Sequence, residues 1–143
     1  MIFSKRLGLV CCATLLAVGP ISAAVISEGD VVINGEQVVV GQQQDGSLTS
    51  TLPTQFTSSQ LLVAPGPGVV GDLVIDAAGW TAENDVRIGE RGIGSVTVRN
   101  GGRFSQQSGQ FTLGQFGFGS LALDGPGSTV DLFENSRATQ FIV

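Results

Sequence analysis

The sequence contains no histidine or tyrosine, and its two cysteines and single lysine all lie before Ala13. The rest of the chain therefore has no imidazole or thiolate to bind a metal ion, no disulfide, and few of the usual nucleophile and base pairs. Carboxylates, hydroxyls, amides and arginines are the chemical groups that remain. We expect no catalytic residue, no cofactor and no metal ion.

Long apolar runs are also scarce. The one extended run, Leu7 to Val18, follows Lys5 and Arg6 and precedes Ser22-Ala23-Ala24. This order of charged, apolar and small residues is typical of a secretory signal peptide, and it predicts cleavage after Ala24. The run is short for a membrane span, and a retained anchor is the alternative. We predict an exported protein, extracellular or at the cell surface after transit through the periplasm, with no membrane span in the mature chain.

Positive charge is sparse in the mature chain. Loss of Lys5 and Arg6 removes two of the seven basic residues and leaves five arginines against twelve acids, which is a net charge of −7. Binding to phosphates requires a basic stripe, so we exclude nucleic acid as a partner. Apolar residues make up 42% of the sequence, and this fraction is too high for a disordered chain.

Helical periodicity is missing after the signal peptide, because apolar residues spaced by three and four never continue beyond two turns. Short segments such as Val96-Thr97-Val98 and Leu121-Ala122-Leu123 instead alternate apolar residues with small or polar ones. That alternation is the pattern of a strand with one buried face. The sequence therefore predicts an all-β protein.

A repeat is the main positive feature of the sequence. Ile88 to Val98, IGERGIGSVTV, matches Leu113 to Leu123, LGQFGFGSLAL, without a gap. Residues 38–50 and 61–75 are looser copies of the same segment. The glycine that opens the strand of each copy recurs at a nearly constant interval, at Gly46, Gly71, Gly94 and Gly119.

A unit of this length cannot bury its own apolar face, so successive units must stack. We predict a parallel β-helix, or β-solenoid, of about four to five coils of roughly 23–25 residues. Equivalent apolar residues should form two inward columns; one is Val40, Val63, Ile88, Leu113 and Val143, and the other is Leu48, Leu73, Val96 and Leu121. Glycines are expected at corners with positive φ. An antiparallel sandwich or hairpin stack is the alternative architecture, because Asn-Gly turns also mark hairpins.

The predicted organisation is a signal peptide at 1–24, an N-terminal cap or degenerate first coil at 25–37, and solenoid repeats at 38–143. Gln140 to Val143 resembles Gln110 to Leu113, and the chain stops where the next glycine is due. We therefore expect a chain truncated at its C-terminus. The open last coil, with Phe141-Ile142-Val143 at its edge, predicts self-association.

The motif φ-G-x-x-G-x-G-S-φ-x-φ in 88–98 and 113–123, with the glycine-rich corners Asn100-Gly101-Gly102 and Gly125 to Ser128, resembles a known repeat. It is shared by the passenger regions of type V autotransporters and by PEP-CTERM exported proteins. The resemblance covers residues 38–143 and is strongest over 86–130. It implies a bacterial exported β-solenoid, often part of a large cell-surface or adhesive protein.

Several side chains are candidates for chemistry or binding. Paired acids on a β-helix could hydrolyse a polysaccharide, and the candidate pairs are Glu83 and Asp85 with Glu90, or Asp72 with Asp76. Solvated corner residues are the favoured interpretation of these acids. Asp124 or Asp131 is a weaker candidate for binding calcium, because the nine-residue calcium-binding repeat is absent.

Arginines and aromatic residues are candidates for surface roles. Arg87, Arg91, Arg99 and Arg103 could form one charged outer face with Glu83, Asp85 and Glu90, although an ordinary solvated surface is the favoured interpretation. Phe104, Phe111, Phe116 and Phe118 could stack on sugars, although we favour Phe111 in the core and Phe116 and Phe118 beside a corner, packed on neighbouring coils. Trp80 could be a carbohydrate platform, but we favour a role in covering the stack.

Together these features predict a non-catalytic, exported, cell-surface structural or adhesive repeat protein, similar to a fragment of an autotransporter passenger. The alternative is a polysaccharide-active β-helix enzyme that uses paired carboxylates. The expected partners are a surface glycan, another cell-surface protein, or further copies of the chain.

Overall fold

The computed structural model describes residues 24–51, 55–133 and 137–138, and this part of the chain is made of β-strands and contains no helix. It therefore has no helical segment that could cross a membrane. The strands are β1 (Ala24–Gly29), β2 (Val31–Ile33), β3 (Gln37–Val40), β4 (Gly46–Thr51), β5 (Gln55–Ser58), β6 (Gln60–Val63), β7 (Val70–Asp76), β8 (Gly79–Ala82), β9 (Val86–Ile88), β10 (Ile93–Arg99), β11 (Arg103–Gln106), β12 (Phe111–Leu113), β13 (Phe118–Asp124), β14 (Thr129–Asp131) and β15 (Arg137–Ala138).

The strands form three sheets, which are the three walls of a stack. The five-stranded wall has the order β1-β4-β7-β10-β13, the four-stranded wall β14-β11-β8-β5, and the six-stranded wall β15-β12-β9-β6-β3-β2. From β3 onward, three consecutive strands make one coil, and each strand pairs in parallel with its equivalent in the next coil. The protein is thus a parallel β-solenoid of about four turns, and the antiparallel alternative is wrong.

The glycines that open the strand of each repeat copy, which we call the glycine steps, set the register of the five-stranded wall. Gly46, Gly71, Gly94 and Gly119 pair directly with one another in successive coils, as the repeat predicts. The segment from Val63 to Gly71 is two residues longer than the equivalent segment from Ile88 to Gly94, and the extra residues lie in the corner before β7, so the strands stay aligned. The sequence period is therefore the coil period.

Both predicted inward columns are present. Val40, Val63, Ile88 and Leu113 are paired in register and buried, and so are Leu48, Leu73, Val96 and Leu121. The predicted fifth member of the first column was wrong, because Ala138 pairs with Leu113. One further coil after Leu113 ends at Ala138, whereas Val143 and the segment 139–143 lie outside the described residues.

A third inward column, which we call the aromatic column, runs along the four-stranded wall. Phe56, Trp80, Phe104 and Val130 pair in register, and the Phe56 and Trp80 rings stack with centroids 4.3 Å apart. Trp80 is only 1% exposed, and its indole N–H donates to Ser58 Oγ at 3.2 Å. Trp80 is therefore a core residue between Phe56 and Phe104, so both the carbohydrate platform and the favoured role in covering the stack were wrong.

The corner between the six-stranded and five-stranded walls repeats one backbone conformation. Gly41, Ala64, Gly89 and Gly114 occupy the same place in four coils, with φ of 73°, 50°, 68° and 64°. The N–H groups of Ala64 and Gly89 donate to Val40 and Val63 O in the preceding coil, each at 2.7 Å. The prediction of positive φ at the corners is confirmed, and Ala64 shows that one alanine adopts it.

The first two strands run against the coils. β1 pairs antiparallel with β4, and β2 pairs antiparallel with β3, so both lie at the N-terminal edges of their walls. Asp30, in the turn between β1 and β2, is hydrogen-bonded to the corner between β3 and β4. Its Oδ2 accepts the N–H groups of Gln43, Gln42 and Gln44 at 2.6, 3.1 and 3.2 Å.

These hydrogen bonds make the contribution of Asp30 dependent on pH. The bond from Gln43 lowers the pKa of Asp30 most, burial opposes it, and the bonds from Gln44 and Gln42 add to the lowering, so the pKa lies below its ordinary value of 3.8. A carboxylate whose pKa is lower in the folded than in the unfolded state stabilises the fold above the unfolded pKa, and this contribution is lost as the pH falls through the folded pKa.

We expect Asp30→Ala to lower the free energy of unfolding near neutral pH, and the difference from wild type to shrink below about pH 4. Urea unfolding of both proteins at the two pH values measures this difference. Glu36→Ala is the control, because the exposed Glu36 side chain makes no hydrogen bond or ion pair within the described residues. An Asp30→Ala difference that stays constant from neutral to acid pH would contradict the prediction.

Candidate interaction surface

Two of the three acids in the first candidate set contact one arginine. Arg87 on β9 lies 3.5 Å from an Asp85 oxygen and 3.6 Å from a Glu90 oxygen. Asp85 also accepts the N–H of Gln110 in the next coil at 2.9 Å. Glu83 is exposed at the corner before Asp85. Asp85 and Glu90 thus serve contacts within and between coils.

The second candidate pair, Asp72 and Asp76, lies along β7 with both side chains on the outer face. Four residues of strand separate their backbones by about 13 Å, which exceeds the roughly 6.5–9.5 Å between the carboxyl groups of an inverting glycosidase. Asp72 accepts a hydrogen bond from Ser95 on the neighbouring strand. The two carboxylates are therefore not brought together.

Asp76 is part of a contact between coils. Its oxygens accept from Asn100 Nδ2 at 2.7 Å and from Arg99 Nε at 2.9 Å, and Arg99 also forms an ion pair with it at 2.8 Å. The hydrogen bond from Asn100 and then the bond from Arg99 hold the pKa of Asp76 below its usual value. These contacts favour the ionised form of the carboxylate.

The four arginines do not share one face. Arg87, Arg99 and Arg103 belong to β9, β10 and β11, which lie in three different walls. Each forms an ion pair within the described residues, and the Arg103 partner is Asp131 at 2.9 Å. Arg91 lies exposed at a corner and forms none there. The alternative of one charged outer face is therefore wrong.

Neither proposed calcium ligand lies in a cluster of acids. Asp131 is paired with Arg103, and the backbone oxygen of Asp124 accepts Ser128 Oγ at 2.9 Å. Within the described ranges, no group of three potential ligands lies close enough to hold a metal ion.

The four phenylalanines proposed to stack on sugars are divided between core and surface. Phe104 and Phe111 are fully buried, whereas Phe116 is 74% and Phe118 53% exposed. The expected positions of Phe111 in the core and of Phe116 and Phe118 beside a corner are confirmed. The expectation that Phe116 and Phe118 pack on neighbouring coils was wrong, because both side chains are largely exposed. The alternation of inward and outward side chains along a strand does not by itself predict which aromatic residues are exposed at the corners.

Phe118 belongs to a row on the outer face of the five-stranded wall. The residue before each glycine step points outward, which aligns Val70, Ile93 and Phe118 in successive coils. Ile93 is 55% exposed, and Phe116 projects from the adjacent corner, where its N–H donates to Glu90 O at 2.8 Å. We call Ile93, Phe116 and Phe118 the apolar ridge.

The polar surroundings of the apolar ridge are equally regular. Two residues further along each strand, an outward-facing row beside the ridge consists of Ser47, Asp72, Ser95 and Ser120. Toward the N-terminal end of the wall lies an open cleft of about 360 Å³, and three carboxylates, those of Glu28, Asp45 and Asp72, are among its lining groups. The wall therefore offers apolar contact at one end and hydrogen-bonding groups along its length.

Comparisons of the chain with protein-family models, with curated proteins and with solved structures gave no match. The β-solenoid implied by the resemblance to passenger and PEP-CTERM repeats is present in the structure. No family match extends that resemblance to type V secretion or to PEP-CTERM export.

Proposed function

We propose that this chain is a non-catalytic, exported structural or adhesive repeat protein of the bacterial cell surface, of the autotransporter passenger type. The observation that carries the proposal is the apolar ridge, because three large apolar side chains stay exposed next to one another on two consecutive coils. Contiguous exposed apolar surface with a polar margin is typical of interaction sites.

The placement of the acids supports a binding role over hydrolysis. Asp85, Glu90 and Asp76 are paired with arginines, and Asp72 accepts a hydrogen bond from Ser95. These carboxylates stabilise the contacts within and between coils. A glycosidase would instead need two carboxyl groups facing one bond, one of them poised to donate a proton.

The ridge and its polar row fit a surface glycan or another cell-surface protein. Phe116 and Phe118 offer apolar faces, and Ser95 and Ser120 offer hydroxyl groups at the spacing of adjacent strands. A sugar ring combines an apolar face with peripheral hydroxyls, and a protein surface combines apolar and polar side chains. The negative charge of the mature chain favours a neutral or basic partner over an acidic one.

Binding to bacterial cells and to a panel of immobilised glycans tests this proposal. We expect the double variant Phe116→Ala/Phe118→Ser to lose at least tenfold in affinity, because aromatic anchors usually dominate such contacts. Val32→Ala is the matched control, since Val32 is also an exposed apolar residue, at 40%, but lies in the six-stranded wall away from the ridge. Equal binding by all three proteins would overturn the role of the ridge.

The same glycan panel tests the enzymatic alternative. Release of reducing sugar by the wild type, abolished by Asp72→Asn or Asp76→Asn, would establish a polysaccharide-active enzyme and end the present proposal. Export is tested separately by fusing residues 1–24 to a reporter enzyme that is active only outside the cytoplasm. A fusion retained in the cytoplasm would contradict export.

A further inference from the structure

The N-terminal end of the solenoid has an open sheet edge. β1 is the outermost strand of the five-stranded wall, and within the described residues no strand pairs with its other side. Half of the backbone N–H and C=O groups of an edge strand point away from its neighbour and can pair with another chain. At six residues, β1 is longer than the other N-terminal edge strand, β2.

The core is also incompletely covered at this end. Ile33 belongs to an inward column that continues through Val38, Leu61 and Val86, all of which are buried. Ile33 itself is 44% exposed. On the outer face of β1, Ile26 is 53% exposed, so the open edge carries apolar surface as well as backbone groups.

The predicted cleavage after Ala24 places the new N-terminus at the beginning of this edge strand. The mature chain would begin at Val25, one residue into β1. Processing would remove the chain that leads into the strand and would leave a positively charged α-amino group beside it. Glu28, three residues further on, has no ion pair or hydrogen bond within the described residues and can accept that charge.

We propose that the mature protein forms a two-fold symmetric dimer in which β1 of one copy pairs antiparallel with β1 of a second copy. Opposed residues of an antiparallel pair point to the same face, so outward Ile26 must face an outward residue of the partner. Ile26 opposite Ile26 of the second copy satisfies this condition. The same register brings each Glu28 beside the α-amino group of the other chain.

The dimer accounts for the open edge of β1, the exposure of Ile26 and the incompletely covered core near Ile33. It extends the five-stranded wall across the two-fold axis, buries Ile26 against its equivalent, and covers the end of the core near Ile33. An isologous contact of this kind closes on itself and is the commonest symmetry of soluble oligomers. Backbone pairing provides the affinity, as in other strand additions.

The inference rests on the cleavage that forms part of the proposed function, so the test uses the chain that begins at Val25, which retains all of the strands β2–β15. This chain has no cysteine, and Ile26→Cys introduces a single thiol. Directly opposed residues of an antiparallel pair have Cα atoms about 4.5–5.5 Å apart, within the range of a disulfide. We expect Ile26→Cys to form a cross-linked dimer under mild oxidation at low protein concentration. Ile93→Cys, equally exposed but on an interior strand of the same wall, should cross-link far less.

Sedimentation supplies the second readout. We expect a dimer for wild type and for Ile93→Lys, and a monomer for Ile26→Lys, because two equal charges would lie directly opposite each other across the strand pair. Circular dichroism checks that each variant is folded. A monomeric wild type, or a dimer in which Ile26→Cys cross-links no faster than Ile93→Cys, would overturn the proposal. Export and glycan binding by a monomer would leave the proposed function intact.

Discussion

Replacement of Trp80 by alanine is expected to lower the free energy of unfolding by about 3–5 kcal/mol, the usual cost of removing a buried aromatic side chain. Trp80 lies between Phe56 and Phe104 in the aromatic column, and the coils above and below it are held in register by backbone pairing. The walls therefore cannot collapse into the cavity. Urea unfolding followed by circular dichroism measures the change, because the variant has no tryptophan fluorescence.

Two further variants make this result specific. Trp80→Phe keeps the ring stack but loses the hydrogen bond to Ser58, so it should fall between wild type and Trp80→Ala. Phe116→Ala removes an exposed aromatic residue and should change stability by no more than about 0.5 kcal/mol. A loss below about 1 kcal/mol for Trp80→Ala would mean that the aromatic column does not support the fold.

Replacement of Gly94 by alanine should destabilise the protein by about 1–3 kcal/mol or more. An added Cβ would lie 2.4 Å from Gly89 N and 2.9 Å from Val63 O. Both are backbone atoms fixed in the ladder of hydrogen bonds, because Gly89 N–H donates to Val63 O. The methyl group can be accommodated only if two coils move apart at this corner. Thermal or urea unfolding of the variant measures the loss.

Gly79→Ala is the matched control. Its added Cβ would approach the end of the Gln55 side chain at 2.7 Å, and this exposed side chain can rotate away. Alanine also reduces the entropy of the unfolded chain, which commonly stabilises a protein by about 0.4–1 kcal/mol. We therefore expect little change or a small gain at Gly79. Equal losses of stability in Gly79→Ala and Gly94→Ala would show that backbone crowding is not the reason for glycine at position 94.

The solenoid could be predicted from the sequence because every coil meets the same physical constraints. Gly46, Gly71, Gly94 and Gly119 recur because the backbone of the corner passes too close to allow a Cβ, and each crowded position requires glycine independently. The two apolar columns follow from the same spacing. The aromatic column was predictable from the equal spacing of Phe56, Trp80 and Phe104 along the chain, but it lies outside the glycine motif.

The candidate surface was less predictable, because a strand pattern shows alternation but not which side faces water near a corner. Phe111 and Phe118 are close in the chain, yet one is buried and the other belongs to the apolar ridge. The pairing of Asp76 with Arg99 and Asn100 joins residues of adjacent coils that are far apart in the sequence. Such contacts depend on the register of coils and on side-chain conformations that the repeat does not specify.

By itself, the sequence determined the period, the parallel stacking and most of the inward columns, since a short unit with one apolar face is stable only when its copies stack. The tertiary structure alone decided the ends and the outer wall. It turned β1 and β2 against the coils, put Ala138 where the apolar pattern suggested Val143, and left Ile93, Phe116 and Phe118 outside. These features depend on what lies next to a residue in the neighbouring coil, and at an end or a corner that neighbour is missing or displaced, so the repeat no longer dictates the outcome.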